Sequence, residues 1–135
     1  MTRLEYFKAR LDATTTPVDV LRDMKSDPYR ICVVDVRSGP ASLLIDRIAD
    51  ALQITQSEIL AQLGKLSKDC VLVLYCWDTW CDLAIQAAVP LLERGYDIKE
   101  LFGGIRAWKT LQCPTEPPDA EALAGQSNPV RVIPL

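Results

Sequence analysis

Histidine is absent from all 135 residues of the chain. That absence removes the Ser-His-Asp and Cys-His nucleophile pairs and every histidine-containing metal site, so a cysteine nucleophile here has to be activated by backbone amides, cations or a helix terminus. An excess of positive charge is missing too. Fifteen Lys and Arg stand against eighteen Asp and Glu, a net charge of −3, which gives no electrostatic case for nucleic acid or an anionic membrane surface. No segment approaches the roughly 20 consecutive apolar residues of a membrane-spanning helix. The opening MTRLEYFKAR breaks its apolar residues with charge, unlike a signal peptide. The chain therefore reads as soluble and cytoplasmic, with small-molecule or protein partners. Five cysteines is an odd count; in a reducing compartment that argues for free thiols rather than a structural disulfide framework. A zinc site needs two close pairs, and only Cys76 and Cys81 are close, so neither a metal nor an organic cofactor is expected.

What the chain does have is enough apolar residue, 49%, for one core at this length. Three β-branched apolar runs predict buried strands: Ile31 to Val36, Val71 to Tyr75 and Ile98 to Leu101. Helical patterns separate them. Thr16 as N-cap, Pro17 at the first helical position and Asp19 in the first turn predict a helix that turns Val20, Leu21 and Met24 inward. Thr55 and Glu58 have the spacing of a capping box ahead of Ile59, Leu60 and Leu63. From Cys81 to Arg94 alanines and leucines recur at helical spacing, with Gly95 as the stop. Strand and helix in alternation predict an α/β domain with a mainly parallel sheet, whose functional edge is the carboxyl end of the strands. Asp35-Val36-Arg37, Cys76 to Cys81 and Gly103-Gly104 fall there. The domain spans residues 1–113, an N-terminal helix included. Residues 114–135 hold five of the nine prolines and read as an irregular tail, which Val130, Val132 and Ile133 pin either to the domain or to a second subunit. Oligomeric state stays open.

The segment Tyr75-Cys76-Trp77-Asp78-Thr79-Trp80-Cys81-Asp82-Leu83-Ala84 sets a cysteine directly after a strand and before an alanine-rich helix. Successive loop amides and a helix N-terminus can stabilise a thiolate or a bound anion in that position. Cys76 is the candidate nucleophile, and Trp77, Asp78, Thr79 and Trp80 are candidate substrate-binding residues of its loop. The bland alternatives are a buried inert Cys76, a Cys81 that only fills the helix start, and loop tryptophans that pack on the scaffold. Cys32, Cys70 and Cys113 read as core or surface thiols. Arg37 and Arg106 read as salt-bridged or surface arginines.

This arrangement, with Val33-Val34-Asp35-Val36-Arg37 before it and Gly103-Gly104-Ile105-Arg106-Ala107-Trp108 after it, resembles a single rhodanese-like domain over about Asp12 to Gln112. Cys81 stands where common rhodaneses carry a loop arginine, which is similar to a subset of single-domain proteins with a C-x4-C loop. The family's G-H-I-P-G-A segment is matched loosely by Asp46-Arg47-Ile48-Ala49-Asp50-Ala51. The resemblance implies a five-stranded, mainly parallel sheet flanked by helices on both faces. It implies a sulfurtransferase or sulfur carrier in which Cys76 accepts sulfane sulfur as a persulfide from a small-molecule donor and passes it to a thiophilic acceptor such as a protein thiol. Cys81 would be a resolving thiol or a structural residue. Asp78 and Asp82 add negative charge that disfavours a thiolate and anionic donors such as thiosulfate. The rival reading is a catalytically silent module that binds a protein or senses redox state through Cys76 and Cys81. A phosphatase is disfavoured, because Asp82 occupies the place where a phosphate loop needs an arginine.

Overall fold

The computed structural model describes residues 1–124. The strands are β1 (Thr14–Thr15), β2 (Ile31–Asp35), β3 (Arg47–Ile48), β4 (Leu52–Gln53), β5 (Val71–Tyr75), β6 (Asp97–Leu101) and β7 (Thr115–Glu116), of which β2 and β5 are the apolar runs buried at the centre. The helices are α1 (Arg3–Ala13), α2 (Pro17–Ser26), α3 (Leu83–Glu93), α4 (Gly104–Thr110) and α5 (Ala120–Ala124), with a 3-10 segment at Ile59–Lys65. Five strands make one sheet in the order β1-β6-β5-β2-β4, every pairing parallel. β3 and β7 form a separate antiparallel pair.

Alternation along the central strands splits the core into two layers. Val34, Leu72, Leu74 and Ile98 face α3 and meet Ala84, Ala87 and Leu91. Val33, Val73, Tyr75 and Leu101 face the other way and meet Val20, Ile48, Ile105 and Trp108. The sheet is thus covered on both sides, as parallel sheets require.

Local signals in the sequence act as expected in α2 and at the end of α3, whereas the interruption that Pro90 predicts in α3 does not occur. The Thr16 hydroxyl accepts from the Asp19 amide at 3.2 Å, with Pro17 at the first position; such a cap contributes about 1 kcal/mol. α3 runs uninterrupted through Pro90, and Gly95, in the left-handed region at φ 88°, follows it. α1 carries a full capping box between Thr2 and Glu5.

Two further expectations are corrected. Thr55 and Glu58 form no capping box: only backbone bonds Glu58 N–H to the Thr55 carbonyl, the Thr55 hydroxyl lies 3.4 Å from that of Ser57, and the segment is 3-10. The Glu58 carboxylate instead accepts from Gln62 Nε2 at 3.1 Å, and the backbone leaves helical geometry at Gln62 (φ −122°, ψ 32°). The chain also stays on the domain beyond Cys113. Trp108 Nε1 donates to the Pro114 carbonyl at 2.7 Å, β7 pairs with β3, Asp50 N–H donates to Glu116 Oε1, and Asp119 N–H donates to Gln53 Oε1. Residues 114–124 therefore carry a strand and a short helix instead of an irregular tail. Val130, Val132 and Ile133 lie outside the described residues. Among the described residues no helix is long and apolar enough to cross a membrane.

Candidate active site around Cys76 and Cys81

Cys76 is the first residue beyond β5, at the carboxyl edge of the central strand, and is buried. Its position is fixed from behind by α4. Ile105 N–H donates to the Cys76 carbonyl at 3.0 Å and Arg106 N–H to the Trp77 carbonyl at 3.1 Å, so orphan amides at the start of α4 are satisfied by the loop itself. This approach needs Gly104. Its φ is +58°, and a Cβ there would collide with the Cys76 carbonyl oxygen and come within 2.9 Å of the Cys76 carbonyl carbon.

The loop folds back so that Cys76 and Cys81 are joined by a disulfide, with their Cα atoms 6.3 Å apart. That separation lies within the range a bridge tolerates. Cys76, Asp78, Thr79, Trp80 and Cys81 share the wall of one cavity of about 110 Å³, closed on the far side by Glu100, Phe102 and Gly103. Thr79 N–H is taken by the Asp78 carboxylate at 2.6 Å and Cys81 N–H by the Asp78 carbonyl at 3.1 Å. Two loop amides are thus occupied from within. Asp82 turns away to Gln86, accepting from its Nε2 at 2.9 Å.

Trp77 does not line that cavity. Its Nε1 donates to the Ser38 carbonyl at 3.2 Å, and the Arg37 guanidinium lies 4.5 Å over its ring. It anchors the loop to the β2 end and, half-buried, lines a wider groove beside the cavity. Trp80 is its opposite, 70% exposed, so it is the loop aromatic with surface to spare. Asp78 and Trp80 also border that groove, of about 510 Å³, with Leu43, Ile45 and Arg106.

Beneath the loop lies a buried polar cluster that the sequence reading left unassembled. Asp35 accepts from Arg37 Nε at 2.9 Å and Nη2 at 2.7 Å, and from the Tyr75 hydroxyl at 2.9 Å. Tyr75 in turn accepts from Ile48 N–H at 3.1 Å, and Arg37 Nη2 also donates to the Asp46 carbonyl. Burial works against the Arg37 charge, but the hydrogen bonds and charge of Asp35 outweigh it and hold its pKa above the ordinary value. Burial first, and then the Asp35 charge, push the Tyr75 phenol up. The signal was available, since Asp35 and Arg37 at i and i+2 share one face of an extended chain. Arg37 is accordingly a salt-bridged structural arginine.

Glu100 was also missed. It sits in β6, opposite Leu74 and Thr14, and burial raises its carboxyl pKa, with Arg10 pulling the other way. Cys32, Cys70 and Cys113 are free; burial, and next the neighbouring Cys70, raise the Cys32 thiol.

A doubly covered parallel sheet with a cysteine at the carboxyl end of its central strand defines a thiol-bearing α/β domain. Residues 16–111 match the Rhodanese-like domain family. A sulfurtransferase of Allochromatium vinosum is 32% identical over 95 residues, covering 70% of this chain and 86% of that one. The crystal structure of a full-length protein from Lactobacillus plantarum superposes with a TM-score of 0.79 at 29% identity, over 85% of this chain and 96% of that one. A Bacillus halodurans protein superposes at 0.75 with 31% identity, over 84% and 83%. The chain belongs to the rhodanese-like domain family.

Proposed function

We propose that the protein is a sulfurtransferase or sulfur carrier that holds sulfane sulfur as a persulfide on Cys76 and passes it to a thiophilic acceptor, whose attack on the outer sulfur returns the Cys76 thiolate, with Cys81 as the resolving thiol when no acceptor is bound. The observation that carries this is the pairing of Cys76 and Cys81 across one cavity at the carboxyl edge of the sheet; the family and the sulfurtransferase relative support it. Trp77, Asp78, Thr79 and Trp80 form the loop around the loaded sulfur, with Trp80 offering its exposed face to the donor or to a protein thiol acceptor.

In the loading step a Cys76 thiolate attacks the outer sulfur of a donor and expels the remainder as an anion. In resolution the Cys81 thiolate attacks Cys76 Sγ, the bond to the outer sulfur breaks, and that sulfur leaves as hydrosulfide while the bridge forms. Two thiols are oxidised and one sulfane sulfur is reduced, so no outside oxidant is needed. Return to the dithiol form then calls on an external thiol, which fits the reducing cytoplasm. Asp78 and Asp82 favour a neutral or protein-bound donor over thiosulfate.

The test is mass spectrometry of the reduced protein after exposure to polysulfide. A Cys76 peptide heavier by one sulfur atom is expected, and Cys76→Ser removes the gain. Equal gain in Cys76→Ser overturns the assignment. No gain in the unmodified protein, with the bridge still forming under peroxide, favours the redox-sensing module, which the closed Cys76–Cys81 bridge also suits.

A further inference from the structure

We propose that Glu100 is the proton-exchange partner of the Cys76/Cys81 pair: its carboxylate takes the proton from the attacking Cys81 thiol and returns it to the departing hydrosulfide. This rests on the reading of these cysteines as reacting thiols. A chain without histidine has no imidazole to move protons at neutral pH, yet resolution requires one proton to leave Cys81 and one to reach the leaving sulfur.

Glu100 is placed for that work. It lines the same cavity of about 110 Å³ as Cys76 and Cys81. Its strand is locked against β5 and β1, with Val73 opposite Lys99, Leu74 opposite Glu100 and Thr14 opposite Glu100. Among the described residues no lysine or arginine forms an ion pair with it. Arg10 on α1 lowers its pKa, Asp78 and Asp82 border the cavity from the loop, and Leu74, Thr14, Ala84 and Ile85 come from β5, β1 and the nearby turn of α3. Burial raises the carboxyl pKa on balance, which brings it closer to that of a thiol, where proton transfer between the two is most efficient. The proton path closes: Cys81 Sγ to Glu100, then Glu100 to the sulfide, leaving Glu100 as it began, the disulfide formed and hydrogen sulfide released.

The substitution that tests this is Glu100→Gln, with Glu100→Asp as the conservative partner. Its stability has a known sign. The folded pKa of Glu100 lies above the unfolded one, so its stabilising protonated form is fully present below the unfolded value and lost as pH rises through the folded value; glutamine should therefore fold at least as well at neutral pH. Two measurements are read separately for each cysteine peptide. In the reduced protein, iodoacetamide alkylation is followed from mildly acid to mildly alkaline pH. Glu100→Gln removes the neighbouring negative charge, so the midpoint for at least one of the two thiols moves down, and Glu100→Asp restores much of it. In protein preloaded with polysulfide, single-turnover sulfide release by Glu100→Gln slows roughly 10²-fold, the usual reach of a positioned acid or base. Unchanged alkylation midpoints at both Cys76 and Cys81 overturn the proposal. The alkylation arm needs no persulfide. A shifted midpoint in a protein that takes up no sulfur would therefore keep Glu100 as the proton acceptor of the thiol pair while sinking both the return of that proton to sulfide and the sulfur-carrier reading.

Discussion

Asp35→Ala is expected to cost about 3–5 kcal/mol, the range for removing one partner of a buried ion pair, out of a total that for a domain of this kind is about 5–15 kcal/mol. Both side chains of the Asp35–Arg37 pair are 1% exposed, so water cannot replace the missing carboxylate. The substitution strands the Arg37 guanidinium, and it also removes the acceptor of the Tyr75 hydroxyl. Arg37 cannot shed its charge to escape, because guanidinium stays protonated. The damage should reach the site, since Arg37 also lies over Trp77, the anchor of the cysteine loop. Urea denaturation checks this: the midpoint should fall sharply with an unchanged slope. A midpoint within a few tenths of a molar of the parent would show that the cluster can be dispensed with. Adding Arg37→Met to Asp35→Ala should recover part of the loss, because the charge left without a partner is then gone.

The second large effect is expected at Gly104. Alanine there meets two penalties, a left-handed backbone that disfavours any Cβ by roughly 1–2 kcal/mol and a collision with the Cys76 carbonyl oxygen. The atom in the way is backbone, so it cannot rotate aside, and overpacking of this kind typically adds about 1–3 kcal/mol. Relief requires α4 to part from the loop, breaking the Ile105-to-Cys76 and Arg106-to-Trp77 hydrogen bonds. Gly104→Ala should therefore lower the thermal midpoint and change how fast Cys76 and Cys81 close their bridge under mild peroxide. A variant that unfolds and bridges like the parent would mean that the loop is held by other contacts.

The architecture was legible where one local pattern decided it. Val71 to Tyr75 is apolar on both faces, and only a covered parallel strand wants that; β5 has the predicted bounds. Thr16-Pro17 and Gly95 marked helix ends because they act within one turn. The two-residue strands β1, β3, β4 and β7 were not legible, since two residues leave no period to read and the existence of β1, β3 and β7 depends on partners far along the chain, such as Glu100 for Thr14 and Glu116 for Arg47. Asp50 shows the same limit from another side. It sits where the family's segment has glycine, and it keeps a left-handed φ of 64°, held by its N–H to Glu116. At the site, the place of Cys76 directly after β5 was readable. That Trp77 packs while Trp80 stays exposed was not, because the difference rests on Ser38 and Arg37, which only the tertiary structure brings there. Glu100 escaped for a similar reason: within Asp97–Leu101 it looks like an ordinary polar position of a strand.

The N-terminal helix has a consequence of its own. None of the eleven residues of α1 is buried, and Leu4, Phe7 and Leu11 are mostly exposed; a two-residue strand at the sheet's margin links it to α2. Sub-global opening is cheapest where little apolar area is given up. α1 should thus be the first unit to lose amide protection in hydrogen exchange, well ahead of β2, β5 and β6. Arg10 would leave with it, and Arg10 lies 4.8 Å over the ring of Phe102, a wall of the cysteine cavity, and tempers the proton affinity of Glu100. Fraying on that flank would therefore take away both the cation that lies over Phe102 and part of the cover of β6, so the least anchored part of the molecule is tied to the wall of the cysteine cavity.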